Sequence, residues 1–246
     1  MSILKLVTKD YIKFENVGEN AILTASAAMD LFLAAANQHT VDMHVSGPEL
    51  EASCGGRWII TKMRMEFDKA PKLGEDYEIA TWPLKAGSVK FPRCYTMTIG
   101  GESAVRAISD WCVLSRADDS LIKSSDVPFP TDREYCEEKA VSAKYIASHF
   151  APEEGDYHHT RVIRWSDIDY NGHTNNLHYL NMTFDCFSGK EMKENIVSAV
   201  EMHYMRQTYE GNEIMLYRRE MEPGVNLVAG LVDGETVFRA AVVFSR

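Results

Sequence analysis

Length, composition and charge narrow the class of protein before any motif is considered. The chain has 246 residues, of which 45% are hydrophobic and 25% are charged, so it can bury a core as one large domain or as two of about 100–130 residues. Its formal net charge of −10 argues against a general nucleic-acid-binding surface. An acidic partner would have to bind a local basic patch.

The cysteines and the N-terminus indicate where the protein works. The five cysteines are scattered and form no C-x-x-C pair, which favours reduced thiols over a disulfide framework. The N-terminal segment lacks the apolar run of a signal peptide, and no stretch reaches the ~18 apolar residues of a membrane span. We therefore expect a cytoplasmic protein that binds neither nucleic acid nor a membrane.

The first half predicts a strand, a helix and an antiparallel sheet. A strand at Tyr11–Phe14 precedes a helix from about Thr24, whose hydroxyl is a candidate N-cap. One apolar stripe of this helix carries Ala25, Met29, Phe32, Ala36 and His39. Strand patterns follow at Trp58–Phe67, Tyr77–Trp82, Val89–Ile99 and Ala104–Leu114. Pro92 indicates an edge strand or a bulge.

The second half repeats this order after a connector. Pro128–Tyr157 is rich in proline and charge and is predicted to be partly helical around Glu134–Phe150. A strand at Val162–Trp165 then precedes a helix from about Asn175, with Thr174 as its candidate N-cap. The helix stripe is Leu177, Leu180, Phe184 and Phe187, and strands follow at Ile196–Met205, Glu213–Tyr217, Asn226–Val232 and Val237–Phe244. We predict units at 1–130 and 158–246, joined by a connector at 131–157.

Short sequence matches support a duplication. Gly101–Ala107 recurs as Gly234–Ala240, and the spacing of Phe67 to Gly74 recurs as that of Tyr204 to Gly211. Each half therefore predicts one long helix against an antiparallel sheet, an α+β architecture.

The two halves differ at the turn before the helix. Asp169, Asn171 and His173 alternate along the second copy, whereas the first copy has Gly18, Asn20 and Ile22 at these positions. Architecture alone does not require this difference. The polar set therefore indicates a functional site.

These three side chains suit acyl-transfer chemistry. His173 can donate to a carbonyl or accept a proton near neutral pH. Asn171 either shapes the turn or orients a reacting group, and Asp169 either orients its neighbours or anchors the turn. Helix N-terminal amides near His173 and Thr174 could stabilise an oxyanion.

Other chemistries lack support in the sequence. There is no serine nucleophile elbow, phosphate-binding loop, dinucleotide fingerprint or zinc motif. Cys136 and Cys186 are possible nucleophiles, although a cysteine on the apolar face of a helix usually only packs in the core. We expect no metal and no cofactor.

Three segments, Trp165–Asn176, Trp58–Pro83 and Ala107–Pro128, carry a resemblance to a known family. The first resembles the signature W-S-D-x-D-x-N-x-H-x-N-N of the acyl-[acyl-carrier-protein] thioesterases of plant plastids and their bacterial relatives. The second resembles the core of that family's first half, and the third resembles the segment that closes it. The resemblance implies a tandem pair of hotdog units. It also implies hydrolysis of acyl-carrier-protein thioesters to free fatty acid in fatty acid biosynthesis, with acyl carrier protein as partner.

The resemblance implies roles for individual residues. The family's catalytic aspartate, asparagine and histidine carry over to Asp169, Asn171 and His173, while Gln207 stands where the family usually has a glutamate. Gln207 could hold a water but could not act as a carboxylate base, so Asp169, His173 or Glu201 could activate the water instead. Thr208 stands where a cysteine or serine often follows.

The substrate surfaces are predicted more coarsely. An acyl pocket in the first half would include Met29, Phe32 and Trp58. The acidic carrier would meet a basic patch drawn from Lys85, Lys90, Arg93, Arg161 and Arg164. An acyl-CoA thioesterase and a non-catalytic acyl-binding or regulatory protein stay open as alternatives. A monomer and a homodimer are both compatible with the sequence, which does not fix the acyl chain length.

Overall fold

The computed structural model describes residues 4–130 and 133–245. The chain divides into two compact units, Met1–Ser142 and Ala143–Arg246. The division falls inside the predicted connector, of which residues 131 and 132 lie outside the described residues. Among residues 133–150, the only helical segment is a 3-10 turn at Ala147–His149, so the predicted helix around Glu134–Phe150 is wrong.

The first unit is a five-stranded antiparallel sheet with two helices. Its strands are β1 (Leu6–Tyr11), β2 (Gly56–Phe67), β3 (Asp76–Pro83), β4 (Phe91–Ile99) and β5 (Glu102–Ser115). They are ordered β1-β3-β4-β5-β2. The helices are α1 (Ala25–Asp42) and α2 (Gly47–Cys54).

Helix α1 packs on the sheet through the predicted stripe. Thr24 caps it, because its hydroxyl accepts the Ala27 N–H at 3.1 Å. All five residues of the predicted stripe are buried. The Phe32 ring lies 5.2 Å from the ring of Tyr95 on β4, which places the helix against the middle of the sheet.

Two predictions for the first unit are wrong. Residues Tyr11–Phe14 do not form a strand, because β1 ends at Tyr11 and a 3-10 turn begins at Phe14. Pro92 lies neither at the sheet edge nor at a bulge, since β4 pairs with strands on both sides and is in register at this residue. The Pro92 carbonyl accepts the N–H of Leu84, the first residue after β3. Because the β3–β4 pairing ends here, the sheet does not need a backbone N–H from Pro92.

The second unit repeats the plan with a shorter helix. Its strands are β6 (Tyr157–Val162), β7 (Ile196–Tyr204), β8 (Glu213–Glu222), β9 (Val225–Val232) and β10 (Glu235–Ser245), in the antiparallel order β7-β10-β9-β8-β6. Its helices are α3 (Asn176–Phe184) and α4 (Gly189–Glu194). Helix α3 packs on the sheet through Tyr179, whose ring lies 5.5 Å from that of Phe238 on β10.

The second unit also corrects three sequence predictions. The strand expected at Val162–Trp165 ends at Val162, and a 3-10 turn follows at Trp165–Asp167. The expected long helix has only nine residues. Phe187, which was assigned to the helix stripe, lies beyond the helix and packs edge-on against Phe244 at 5.4 Å.

No helix in the described part of the chain is long and apolar enough to span a membrane. All five cysteines are free thiols.

Candidate active site

The predicted polar set lies in residues 163–175, which we call the second entry loop. Buried Asp167 organises it. The Asp167 carboxylate accepts the Arg164 N–H at 2.8 Å and an Arg161 guanidinium N–H at 2.6 Å. Its backbone carbonyl accepts the Asn175 N–H at 2.8 Å. Sequence reasoning gave Asp167 no role, although it stands inside the family signature.

Asp169, Asn171 and His173 share one tight turn of this loop. The Asp169 N–H donates to the His173 carbonyl at 2.9 Å, and the Gly172 N–H donates to the Asp169 carbonyl at 3.0 Å. The Asp169 carboxylate accepts the Asn171 N–H at 2.8 Å. Asp169 therefore anchors the turn, which was one of its two predicted roles. All three side chains are half-buried, so they reach solvent while the backbone holds them in place.

A buried hydroxyl network fixes the other side of the loop. The Thr174 N–H donates to the Thr208 carbonyl at 2.9 Å. The Thr208 hydroxyl lies 2.7 Å from the Thr174 hydroxyl and 2.8 Å from that of Tyr179. Burial raises the pKa of Tyr179, so its phenol stays protonated. Thr208 thereby serves the fold, and its hydroxyl is engaged on two sides.

Gln207 precedes Thr208, the residue that this network ties to the second entry loop. His173 likewise precedes Thr174, and the His173 ring lies 5.2 Å from that of Tyr209. Gln207 is half-buried and lies beyond the end of β7 at Tyr204.

Glu201 is removed from the candidates for water activation. It is fully buried on β7, and its carboxylate accepts the backbone N–H groups of Ile146 and Ala147 at 2.9 and 2.8 Å. His203 Nε2 lies 2.7 Å from the same carboxylate. These contacts hold the pKa of Glu201 below its usual value although burial opposes that shift. The residue anchors the segment before β6.

The helix N-terminus is arranged differently from the prediction. Asn175, not Thr174, caps α3, because its side-chain oxygen accepts the Leu177 N–H at 2.9 Å. The Thr174 N–H already donates to Thr208, so it cannot serve an oxyanion without breaking that bond.

Neither candidate cysteine is supported as a nucleophile. Cys186 is buried, and burial raises the pKa of its thiol to about 12, so it is a poor nucleophile near neutral pH. Cys136 packs against the Trp82 cluster of the first unit.

The predicted acyl-pocket residues belong to two clusters of the first unit. Met29 and Phe32 are fully buried on the inner face of α1. Trp58 packs edge-on against Phe91 at 5.0 Å and donates from its indole N–H to the Val45 carbonyl at 2.8 Å.

One residue of the predicted basic patch, Arg93, is not at the surface. Arg93 is buried, with its guanidinium 3.1 Å from His39 Nδ1 and 3.1 Å from the Thr81 hydroxyl, so it cannot meet a carrier at the surface. Burial and the nearby guanidinium lower the pKa of His39 to about 4, which keeps the imidazole neutral. Arg161 bonds to Asp167, whereas Lys85, Lys90 and Arg164 are exposed.

Comparison with known proteins agrees with this architecture. The chain matches the acyl-ACP thioesterase N-terminal domain over residues 5–124 and the acyl-ACP thioesterase C-terminal domain over residues 151–244. A chloroplastic palmitoyl-acyl carrier protein thioesterase of Arabidopsis thaliana is 25% identical over 171 residues, covering 61% of this chain and 38% of the relative. The chain thus spans under two fifths of the length of this curated relative.

Solved structures establish the fold. A crystal structure of an acyl-ACP thioesterase from Bacteroides thetaiotaomicron superposes with a TM-score of 0.89 at 20% identity, covering 98% of both chains. The 12:0-ACP thioesterase from Umbellularia californica gives a TM-score of 0.87 at 18% identity, covering 98% of this chain and 97% of the other. With both domain models matched in order, this chain belongs to the acyl-ACP thioesterase family and has its tandem hotdog fold.

Proposed function

We propose that this protein hydrolyses the thioester of acyl-[acyl-carrier protein], releasing free fatty acid and the carrier thiol and so ending chain elongation in fatty acid biosynthesis. One observation carries the proposal: an acid, an amide and an imidazole share a solvent-accessible turn before α3, at positions where the duplicated first unit has none of this set except Asn20. The reaction would take place in the cytoplasm, where the five free thiols stay reduced.

The Asn171 side chain is the proposed hydrogen-bond donor to the thioester carbonyl. Its amide can donate to the thioester carbonyl as that oxygen gains negative charge. The Asp169 carboxylate holds the Asn171 backbone at 2.8 Å, so the amide is positioned before the substrate arrives. Such a preorganised donor contributes about 3 kcal/mol to lowering the barrier.

His173 is the proposed base for the attacking water. The water oxygen bonds to the carbonyl carbon while its proton passes to the imidazole; the carbon–sulfur bond then breaks, and the carrier sulfur takes up a proton. Gln207, on the adjacent segment, holds the water through its side-chain oxygen. This assignment gives Gln207 a positioning role in place of the family's glutamate.

The first unit supplies the acyl site in this proposal. Met29 and Phe32 offer buried apolar surface on α1, and Trp58 offers an aromatic wall near Phe91. The acidic carrier would meet exposed cations, with Lys85 and Lys90 as candidates on the first unit and Arg164 as a candidate on the second. Salt should therefore slow turnover of the carrier substrate more than turnover of a small neutral thioester.

The central test measures release of fatty acid from acyl-carrier protein by His173→Ala. We expect a loss of about 100-fold or more, since general base catalysis contributes 10²–10⁴. The matched control is His44→Ala, which removes an exposed histidine of the first unit. Wild-type turnover in folded His173→Ala would overturn the proposed role of this residue.

A second test addresses Gln207. We expect Gln207→Glu to change the rate and to shift the pH profile of hydrolysis, because a carboxylate would join the water site. An unchanged rate and profile would place this residue outside the chemistry.

The carrier preference is tested by comparing the rates of hydrolysis of the same acyl chain attached to carrier protein and to CoA. We expect faster hydrolysis on carrier protein. Faster hydrolysis on CoA would support the acyl-CoA alternative, and binding without turnover on either carrier would support a non-catalytic acyl-binding protein.

A further inference from the structure

Three metal-ligating side chains meet in the second unit outside the entry loop. His158 and His159 lie on β6, and Cys186 follows the end of α3. One ligand atom from each residue lies within 4.8 Å of those of the other two. They run from the surface inward: His158 is exposed, His159 is half-buried and Cys186 is buried. The proposed hydrolysis uses none of them.

A β-bulge accounts for the pair of histidines. Neighbouring side chains on a regular strand point to opposite faces. Here Tyr157 pairs with Tyr217 and His159 pairs with Leu216, so His158 is an extra residue in the β6–β8 ladder. Such a bulge redirects side chains. The two Nδ1 atoms consequently lie 2.6 Å apart.

The donor set selects a borderline-soft metal. Two imidazole nitrogens and one thiolate are ligands that zinc prefers in tetrahedral sites, with about 2.0–2.1 Å to nitrogen and 2.3 Å to sulfur. Tetrahedral angles at these bond lengths separate the donor atoms by about 3.3–3.6 Å. Binding one ion would draw together the donor atoms that lie up to 4.8 Å apart. It would also rotate the two imidazoles so that their ligating nitrogens lie further apart than the 2.6 Å between the Nδ1 atoms.

The neighbouring charges are mixed, since the Arg218 guanidinium donates to the Cys186 carbonyl at 2.9 Å. Asp185 adjoins Cys186, is exposed and lies 3.5 Å from the Arg161 guanidinium. The Cys186 thiol must lose its proton when a metal binds, which a bound dication favours strongly.

We propose that His158, His159 and Cys186 bind one divalent zinc-type ion, with water as the fourth ligand. The ion links the edge strand β6 to the end of α3, the helix that follows the entry loop. It is a structural brace, because the sulfur donor is buried and the site is separate from the residues of the proposed reaction.

The test is a titration of tag-free, reduced, metal-stripped protein with Co²⁺ alone. We expect one ion per chain and a thiolate-to-cobalt charge-transfer band that Zn²⁺ abolishes by displacement. His158→Ala and His159→Ala should each weaken binding at least tenfold, and Cys186→Ser should remove the charge-transfer band. Cys112→Ser, at another buried cysteine, and His44→Ala are the matched controls and should bind as wild type.

Thermal unfolding supplies a second readout. Zn²⁺ at about one hundred times its Kd should raise the Tm of the wild type by about 5–10 °C, and the histidine variants should lose most of this rise. If Cys186→Ser does not fold, the loss of metal binding in His158→Ala, at an exposed residue, still tests the site. The absence of a cobalt band in the wild type, or equal binding by a His158→Ala/His159→Ala double variant, would overturn the proposal.

Discussion

The two entry loops, residues 12–24 and 163–175, share a pattern of backbone hydrogen bonds but carry different side chains. The Gly18 N–H donates to the Ile22 carbonyl at 2.9 Å, as the Asp169 N–H does to that of His173. The Leu23 N–H donates to the Pro71 carbonyl at 2.8 Å, as the Thr174 N–H does to that of Thr208. The duplication is therefore preserved in individual hydrogen bonds.

The polar set is not needed to form this loop. In the first loop the Asn20 side chain accepts the Ile22 N–H at 3.1 Å, whereas in the second the Asp169 side chain accepts the Asn171 N–H at 2.8 Å. Each loop has a local side-chain bond, but only the second has both an acid and an imidazole. A structural requirement would apply to both copies, so the difference supports a chemical role for the second.

A pair of matched asparagine variants tests most directly whether the two loops differ in function. We expect Asn171→Ala to lower hydrolysis of acyl-carrier protein by about 10²–10³, because it removes the proposed oxyanion donor. Asn20→Ala removes the equivalent amide of the first loop and should change the rate less than threefold. Equal effects on steady-state kcat/KM would mean that both asparagines act through the fold.

Asp169→Ala separates chemistry from stability. It removes one side-chain bond to the Asn171 N–H, so the free energy of unfolding should fall by only about 1 kcal/mol. Hydrolysis should fall by at least tenfold, because the amide is no longer positioned. Urea unfolding and turnover of the same sample measure both effects. A loss of activity no larger than the loss of folded protein would contradict the chemical role.

Thr208→Val tests the buried network that is specific to the second loop. The substitution deprives the Thr174 and Tyr179 hydroxyls of a partner, so unfolding should become easier by about 1–3 kcal/mol. Thr208→Ser retains the hydroxyl and should recover most of that loss. The urea midpoint gives the comparison, and equal midpoints for the valine and serine variants would show that the network is not stabilising.

The smallest effect is expected at Gly172. It has a positive φ of 82°, and the equivalent Ala21 of the first loop has a φ of 58°. Because that copy tolerates an alanine in the left-handed region, Gly172→Ala should fold and should cost only the backbone strain of about 1–2 kcal/mol. A loss of several kcal/mol in urea unfolding would show that the two turns are less alike than their hydrogen bonds indicate.

Local patterns in the sequence predicted much of this molecule. The α1 stripe and its Thr24 cap are confirmed, since both depend on residues within one or two turns. Element ends were less reliable. Both strands that lead into the loops end earlier than predicted, because the side chains of Asn16 and Asp167 accept backbone N–H groups and start 3-10 turns instead.

The sequence by itself determined the duplication, the family and the three alternating polar residues of the second loop, because each is a matter of order and spacing along the chain. Only the tertiary structure decided that Thr208 binds Thr174, 34 residues away, that Arg93 is buried, and that His158 and His159 converge on Cys186. These outcomes depend on which strands pair and where a ladder bulges, and strand pairing joins residues that local periodicity does not relate.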